Sequence, residues 1–313
     1  MDQLDKMPEM SIPFGDDVSA VDIGRGNLAV LKTDMLVDKT DVPEGMSLWQ
    51  AARKAVVMNV SDFAAKGVKP IAMLVSLGLP EKLTDEAVEE IGSGLNAGAR
   101  EHDAYIIGGD TGEASDIVIS LSLFGTAKKR DLMLRSGARP GDLVAVTGLF
   151  GNTSAGLKIL VERLKVPLEI RENLVKSVLL PHARLREGLA LCKTNAVTAA
   201  IDSSDGLAWS LHEIAGASKV GFLIDKLPLS SEAGSFASVC NLDPVELALY
   251  GGEEYELVVT VKPRLRKKAE RAVEEVGGRL LPIGKVTAER TVLLTIDGKR
   301  QIIQPRGYEH FKT

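Results

Sequence analysis

Val197-Thr198-Ala199-Ala200-Ile201-Asp202-Ser203-Ser204-Asp205-Gly206 packs a strand, its edge and the start of a helix into ten residues. The run 197–201 reads as a strand that ends at Asp202. A helix is expected to follow from Asp205 to about Ala215, with Gly216 past its end. Two carboxylates three residues apart across such a junction can converge on one cation. The helix start meanwhile offers unpaired N–H groups to phosphate oxygens. A plain N-cap at Ser204 or Asp205 is the competing reading.

Working outward, the same pattern recurs at the ends of short apolar runs: Gly15-Asp16-Asp17, Thr33-Asp34, Ser61-Asp62 and Gly108-Gly109-Asp110. Taken singly, each is equally a turn or a solvated acid. Asp62 is harder to dismiss, because it sits mid-pattern in a helix between Val60 and Phe63, where an unpartnered charge is costly. Together the acids suggest one pocket of carboxylates. Like charges repel, so a shared pocket needs cations, most simply Mg2+ on hard oxygen ligands, and such sites handle phosphates. Gly251-Gly252-Glu253-Glu254-Tyr255-Glu256 repeats the theme with glutamates, or is a loop entering a strand. Arg135, beside Ser136 and Gly137, is a candidate phosphate contact or an unpaired surface cation.

Strands are expected at 27–33, 71–79, 105–107 and 117–123. The last is the clearest, with Ile117, Ile119, Leu121 and Leu123 on one face and Ser120 and Ser122 on the other. Helices are expected from Ser47 toward Gly67 and after Thr84, whose Asp85 and Glu86 suit the helix dipole. The polar, turn-rich stretch 135–142 marks a boundary, dividing the chain into 1–137 and 138–313. Beyond it, strands are expected at 143–147, 197–201, 255–261 and 291–296. Helices are expected at 152–164, around Pro181 within 173–192, and at 263–276. Strands and helices mix in both halves, so the class is α+β or α/β.

At 313 residues, two domains are the first expectation. Aromatics are only 4%, so the core must be aliphatic, and the net charge of −5 argues against a nucleic-acid or anionic-membrane surface. Cys192 and Cys240 are isolated and expected to be reduced core thiols. The histidines show no zinc spacing. The start of the chain has no apolar leader and no apolar run reaches the ~20 residues that span a bilayer, so a cytoplasmic protein is expected. No Walker phosphate loop occurs: Gly284-Lys285-Val286-Thr287 lacks the upstream glycine and the hydroxyl directly after Lys. The kinase signature set is missing too, and Gly92-Ser93-Gly94 lies in a helical pattern rather than a dinucleotide loop.

The ordered set of motifs resembles the thiamine-monophosphate kinase family of the aminoimidazole ribonucleotide synthetase-like superfamily. The likeness covers nearly the whole chain. It runs through the acid pairs above, 59–67 (NVSDFAAKG), Gly108-Gly109-Asp110-Thr111 and Arg135-Ser136-Gly137-Ala138. It continues through 201–207 (IDSSDGL) and 250–257 (YGGEEYEL) to Gly307-Tyr308-Glu309-His310-Phe311. The resemblance implies an α+β, two-domain fold whose N-terminal domain forms a β-barrel across a homodimer. It implies that 1–137 binds ATP and Mg2+ and dimerises, while 138–313 contributes to the active site. The implied activity is ATP-dependent phosphorylation of thiamine phosphate to thiamine diphosphate. Asp17, Thr33, Asp34, Asp62, Asp110, Asp202 and Asp205 correspond to ligands of several Mg2+ ions, and Asp62 and Asp205 to the residues that turnover depends on. Gly109, Asp110, Arg135 and Ser204 correspond to nucleotide contacts, Glu253 and Tyr308 to the walls of the thiamine pocket.

The chain departs from the family at 37–43, where bacterial members carry Gly-x-His-Phe, and at Lys32, which stands where Ser or Thr is usual beside the metals. A charged Lys cannot ligate Mg2+, so Lys32 is expected to neutralise phosphate. Other members of the superfamily fit less well. A selenophosphate synthetase should have a reactive Cys near its start, and a hydrogenase-maturation dehydratase should end in Cys. A purine-pathway cyclo-ligase and a non-catalytic, metal-dependent nucleotide-binding regulator are the remaining alternatives.

Overall fold

The computed structural model describes residues 5, 7, 8, 10–12 and 14–308. Glu309, His310 and Phe311 of the last motif lie outside the described residues. In the first half the elements are β1 (Met10–Ile12), β2 (Ser19–Asp22), β3 (Asn27–Val37), α1 (Asp38–Asp41), α2 (Leu48–Lys66), β4 (Pro70–Leu79), α3 (Asp85–Glu101), β5 (Tyr105–Glu113) and β6 (Val118–Lys128). In the second they are β7 (Leu143–Val146), α4 (Asn152–Val161), α5 (Leu168–Leu179), α6 (Leu185–Thr194), β8 (Val197–Asp202), α7 (Leu207–Ser218), β9 (Gly221–Ile224), α8 (Ser231–Cys240), α9 (Pro244–Tyr250), β10 (Leu257–Val261), α10 (Arg266–Glu274), β11 (Leu281–Thr287), β12 (Val292–Ile296) and β13 (Lys299–Ile302).

Among the described residues two mixed sheets form, in the orders β1-β2-β3-β6-β4-β5 and β13-β12-β9-β11-β7-β10-β8. Only β4/β5 and β9/β12 pair in parallel, so the class is α+β. Neither sheet closes into a barrel. No helix is long and apolar enough to cross a membrane among the described residues.

The first sheet has two unlike faces. One packs on α2, as the buried Val30, Leu36, Ile119 and Leu121 show. The other carries Leu31, Met35, Leu74, Tyr105 and Phe124, all exposed. Register joins Leu31, Phe124, Ala72 and Tyr105 in one row across the sheet, so this apolar face is continuous.

Helix α2 is the hub. Ser47 Oγ accepts a hydrogen bond from Gln50 N while Gln50 Oε1 accepts one from Ser47 N, a capping box worth about 1 kcal/mol. Gly67 ends the helix at φ +67°. Between them α2 is buried on every side, against β3 and β6, α3, α6 and β8. Such a helix must pair every polar side chain it carries, and that requirement builds the site.

Several expectations shift. The strand expected to end at Thr33 runs to Val37, which places Asp34 inside β3. Gly108-Gly109-Asp110 is part of β5, at the sheet edge, and not a turn after a short strand. The helix expected from Asp205 starts at Leu207 and runs to Ser218, past Gly216. Its cap is Gly206 at φ +110°, with no side-chain capping bond, so neither Ser204 nor Asp205 holds the cap position. Cys192 and Cys240 are free but only half-buried.

Candidate active site: a carboxylate cradle short of positive charge

From α2, Ser61 donates to Asp202 Oδ2 at 2.6 Å, tying the helix to the end of β8. Asn59 accepts from Asp34 N at 2.9 Å, tying it to β3. Lys66, fully buried, reaches Asp16 at 2.6 Å, Asp17 at 2.8 Å and the Ala200 carbonyl at 2.9 Å. Lys54, equally buried, pairs with Glu253 at 2.5 Å and donates to Asp41 O at 2.8 Å. One helix therefore gathers four acidic motifs that lie far apart in the chain.

The result is a group in which Asp17, Asp62 and Asp202 each bring a carboxylate oxygen within 4.8 Å of the others, all three buried. Lys32 stands beside it, 3.0 Å from both Asp34 and Asp62. Arg135 closes the far side, on Asp17 at 2.5 Å and Glu213 at 2.7 Å. Five carboxylates (Asp16, Asp17, Asp34, Asp62, Asp202) thus face three cationic side chains (Lys32, Lys66, Arg135).

The shortfall shows in the acidities. Burial and then the Asp17 charge push the Asp202 carboxyl up to about 7, against a smaller lowering by Ser61. Burial and then Asp202 hold Asp62 well above the usual carboxylate range, despite Lys32. Burial opposes the Lys32 ammonium, but Asp62 and Asp34 outweigh it and raise its pKa above the ordinary value. Beside Asp202, the buried Ser203 hydroxyl has no hydrogen-bond partner among the described residues. An excess of two carboxylates, all-oxygen donors and an orphaned hydroxyl nearby suit a hard divalent cation such as Mg2+.

The second part of the site is stitched by main-chain bonds. Glu253 N donates to Ser204 O at 2.6 Å, Tyr255 N to Ser203 O at 3.0 Å and Tyr308 N to Asp205 O at 3.1 Å. A Cβ on Gly252 would lie 2.6 Å from Ser204 O and one on Gly251 2.3 Å from Ser154 Cβ, which is why two glycines stand there. This clasp opens onto a cavity of about 510 Å3 lined by Asp41, Val42, Pro43, Val161, Glu253 and Tyr308. Partial burial raises the Tyr308 hydroxyl, and Asp41, Glu253 and Asp205 raise it further, so the ring stands in a negative field.

The expected residues therefore divide. Asp17, Asp34, Asp62 and Asp202 come together in the cradle, and Arg135 joins it through Asp17 rather than standing free. Asp205, Ser204, Glu253 and Tyr308 form the clasp. Thr33, Gly109 and Asp110 do not join the cradle. Thr33 is exposed on the opposite face from Asp34, with its hydroxyl donating to Leu121 O at 2.8 Å. Asp110, in register with Ser76, Ser120 and Met35, lies on that same outer face. It is three strands from β3, about 14 Å at 4.8 Å per strand. Lys32 faces acids rather than open solvent. Ser61, Asn59, Lys54 and Lys66 had no assigned role in the sequence reading. The signal for them was available: polar residues recurring through a helix otherwise apolar on all faces.

Two mixed sheets joined by a buried helix, with acids gathered at their meeting point, first define a class. Residues 15–127 match the AIR synthase related protein N-terminal domain and 139–297 the C-terminal domain of the same class. The chain is 38% identical to a thiamine-monophosphate kinase of Nitrosopumilus maritimus, over 90% of this chain and 89% of that one. It is 39% identical to one of Pyrococcus abyssi, over 95% and 90%. A solved structure described as AaThiL complexed with AMPPCP and TMP superposes at a TM-score of 0.84, with 31% identity, covering 95% of this chain and 92% of that one. The chain belongs to the thiamine-monophosphate kinase family.

Proposed function

We propose that this chain transfers the γ-phosphoryl group of ATP to the phosphate of thiamine phosphate, giving thiamine diphosphate and ADP. The observation that carries the reading is the excess of buried carboxylate at Asp17, Asp62 and Asp202. A site for two polyanionic reactants has to be filled by cations, and this one is built to hold them. The acceptor, a phosphate monoester, has a second pKa of ~6 and is already an anionic nucleophile at neutral pH. An acceptor oxygen bonds to the γ-phosphorus as the bond to the β-phosphate oxygen breaks, and ADP leaves with that electron pair. No strong general base is required, which agrees with the lack of a histidine among the described residues of the cradle. Mg2+ held there would neutralise phosphate oxygens on both reactants and align them for in-line transfer.

The chain's own residues supply the rest. Asp62, central in the cradle, and Asp205, at the clasp, are the residues turnover depends on. Asp17, Asp34 and Asp202 complete the cation-holding set on the inner face. Ser204 and Arg135 border the nucleotide side. In the 510 Å3 cavity, Tyr308 offers a ring face and Asp41 negative charge, which suits the cationic thiazolium of the acceptor, and Glu253, held by Lys54, completes the wall. The absent Gly-x-His-Phe motif is replaced there by Asp41.

A homodimer belongs to the same proposal. The outer face of the first sheet is apolar and exposed, β5 is an unpaired edge that carries Gly109, and Thr33 and Asp110 lie on that outer face. Two such sheets packed face to face as a barrel would bury the patch and bring these three residues beside a second chain. Residues 1–137 then act as the nucleotide, Mg2+ and dimerisation domain and 138–313 as its partner domain. Use of ATP supports a cytoplasmic setting.

Incubation with ATP, Mg2+ and thiamine phosphate, read by mass spectrometry, tests the reaction: thiamine diphosphate and ADP are expected in equal amounts. ADP without thiamine diphosphate would remove the acceptor assignment, and neither product would remove the kinase. Phe124→Asp is expected to convert a dimer to monomer in light scattering; an unchanged mass would exclude the sheet-to-sheet barrel.

A further inference from the structure

We propose that the Lys32 ammonium is the resident cation of the Asp34–Asp62 subsite, so that this pair of carboxylates takes no divalent ion. The inference deepens the metal-assisted reading above and rests on it. Lys32 and Asp34 are two residues apart on β3, so both side chains leave the same face of the strand. Asp62 comes to that face from α2. The Nζ atom lies 3.0 Å from Asp34 Oδ1 and 3.0 Å from Asp62 Oδ2, bridging them. A Mg2+ ion bound by the same two oxygens would sit between them at ~2.0–2.1 Å from each. That is the space the ammonium fills, and the two cannot share it.

The pairing is built in rather than incidental. The Lys32 side chain is 19% exposed and its Asp62 partner 9%, so the bridge is largely out of water. Moving the ammonium away would leave Asp62 with Asp17 and Asp202 as neighbours and no positive charge on that side, an arrangement burial penalises heavily. Lys32 occupies one side of Asp62, and the Asp17–Asp202 side stays open to a metal ion. Asp62 therefore links two subsites of different kinds, one served by the chain's own fixed charge and one by an exchangeable ion. A hydroxyl at position 32 would leave both to exchangeable ions.

The count of bound cations decides the matter without reference to turnover. Mn2+ bound per chain is measured by electron paramagnetic resonance in the presence of the ATP analogue AMPPCP, for the wild type and for Lys32→Ser. The variant is expected to hold one Mn2+ more than the wild type. Equal counts would overturn the inference, whatever the wild-type number. A wild type that binds no Mn2+ with the analogue would strike the phosphoryl-transfer reading instead, and the difference between the two proteins would still decide this one. Should Lys32→Ser fail to fold, the wild type answers alone. With 15N-labelled lysine, the Lys32 ammonium resonance, assigned by its loss in Lys32→Arg, is expected to persist at saturating Mg2+ and AMPPCP. Its displacement by Mg2+ would overturn the inference.

Discussion

The molecule buries two groups of acids, and they are compensated in opposite ways. Glu253, Glu254 and Glu256 are closed by the chain itself. Arg184 grips Glu256 through two nitrogens at 2.8 and 2.5 Å, and Thr147 adds a third bond at 2.7 Å. Glu254 accepts from Gly151 N, Thr153 N and the Thr153 hydroxyl, satisfying orphan donors at the start of α4. Glu253 has Lys54. Asp16, Asp17, Asp34, Asp62 and Asp202 instead share three cationic side chains, Lys32, Lys66 and Arg135. Both groups sit beside Gly or Ser at the edge of an apolar run, and both look alike in sequence. Closure by the chain's own donors, not the presence of acids, separates a brace from a site: the carboxylates of Glu254 and Glu256 each accept three hydrogen bonds, whereas that of Asp202 accepts one, from Ser61, among the described residues.

The sharpest way to break this contrast is to delete one acid from each group. Asp62→Ala is expected to cut turnover by ~10³-fold or more, the scale of losing a key electrostatic element, without lowering the melting temperature of the metal-free protein. Asp205→Ala is expected to abolish turnover likewise with the chain still folded. Near-normal activity in either variant would count against the cradle as the site of chemistry.

Glu256→Ala should do the reverse. Leaving Arg184 with only the longer 3.7 Å pair to Glu187 is expected to cost ~3 kcal/mol of stability in denaturant unfolding, while turnover per folded molecule falls far less than in Asp62→Ala. A stable but inactive Glu256→Ala protein would erase the distinction.

The response to pH separates the groups more finely. Asp202 rises from an ordinary 3.8 to about 7, chiefly through burial, and Glu254 from 4.5 to about 7 for the same reason. In each case the folded state holds its proton more tightly than the unfolded chain. The resulting stability is full below about pH 4 and is lost as pH rises toward 7, by at most roughly 4 kcal/mol for Asp202 and roughly 3 kcal/mol for Glu254. Mg2+ should remove the Asp202 share by neutralising the ionised form and leave the Glu254 share in place. Melting curves at pH 5 and pH 8, in EDTA and in Mg2+, are expected to show a pH-dependent loss that Mg2+ halves. Equal losses under both conditions would mean that no ion enters the cradle.

The smallest expected effect lies at the clasp. Tyr308→Ala removes a cation–π contact of ~0.5–2 kcal/mol, and so should raise KM for thiamine phosphate by about 2- to 30-fold with kcat little changed. A fall in kcat alone would place Tyr308 outside the acceptor pocket.

Much of this was legible before any fold. The alternation at 117–123, the Ser47 and Thr84 caps and the Gly67 stop all became the elements expected of them, because each depends on neighbours within a few residues. The errors came where local cues were ambiguous. Gly108-Gly109-Asp110 looked like a turn because glycine suits turns, yet pairing with β4 carries it on as strand. Thr33 and Asp34 looked like one motif, yet the two-residue period of β3 sends them to opposite faces.

By itself, the sequence determined the longest strands and helices, the caps at Ser47 and Thr84, and the order of the acidic motifs that ally it with its family. Only the tertiary structure decided which acids are left short of a partner. Ser61 meets Asp202 across 141 positions, Arg135 meets Asp17 across 118, and Lys32 finds Asp62 from a different element. Coulomb energy depends on distance in space and on the water excluded between charges, and neither can be read from position along a chain.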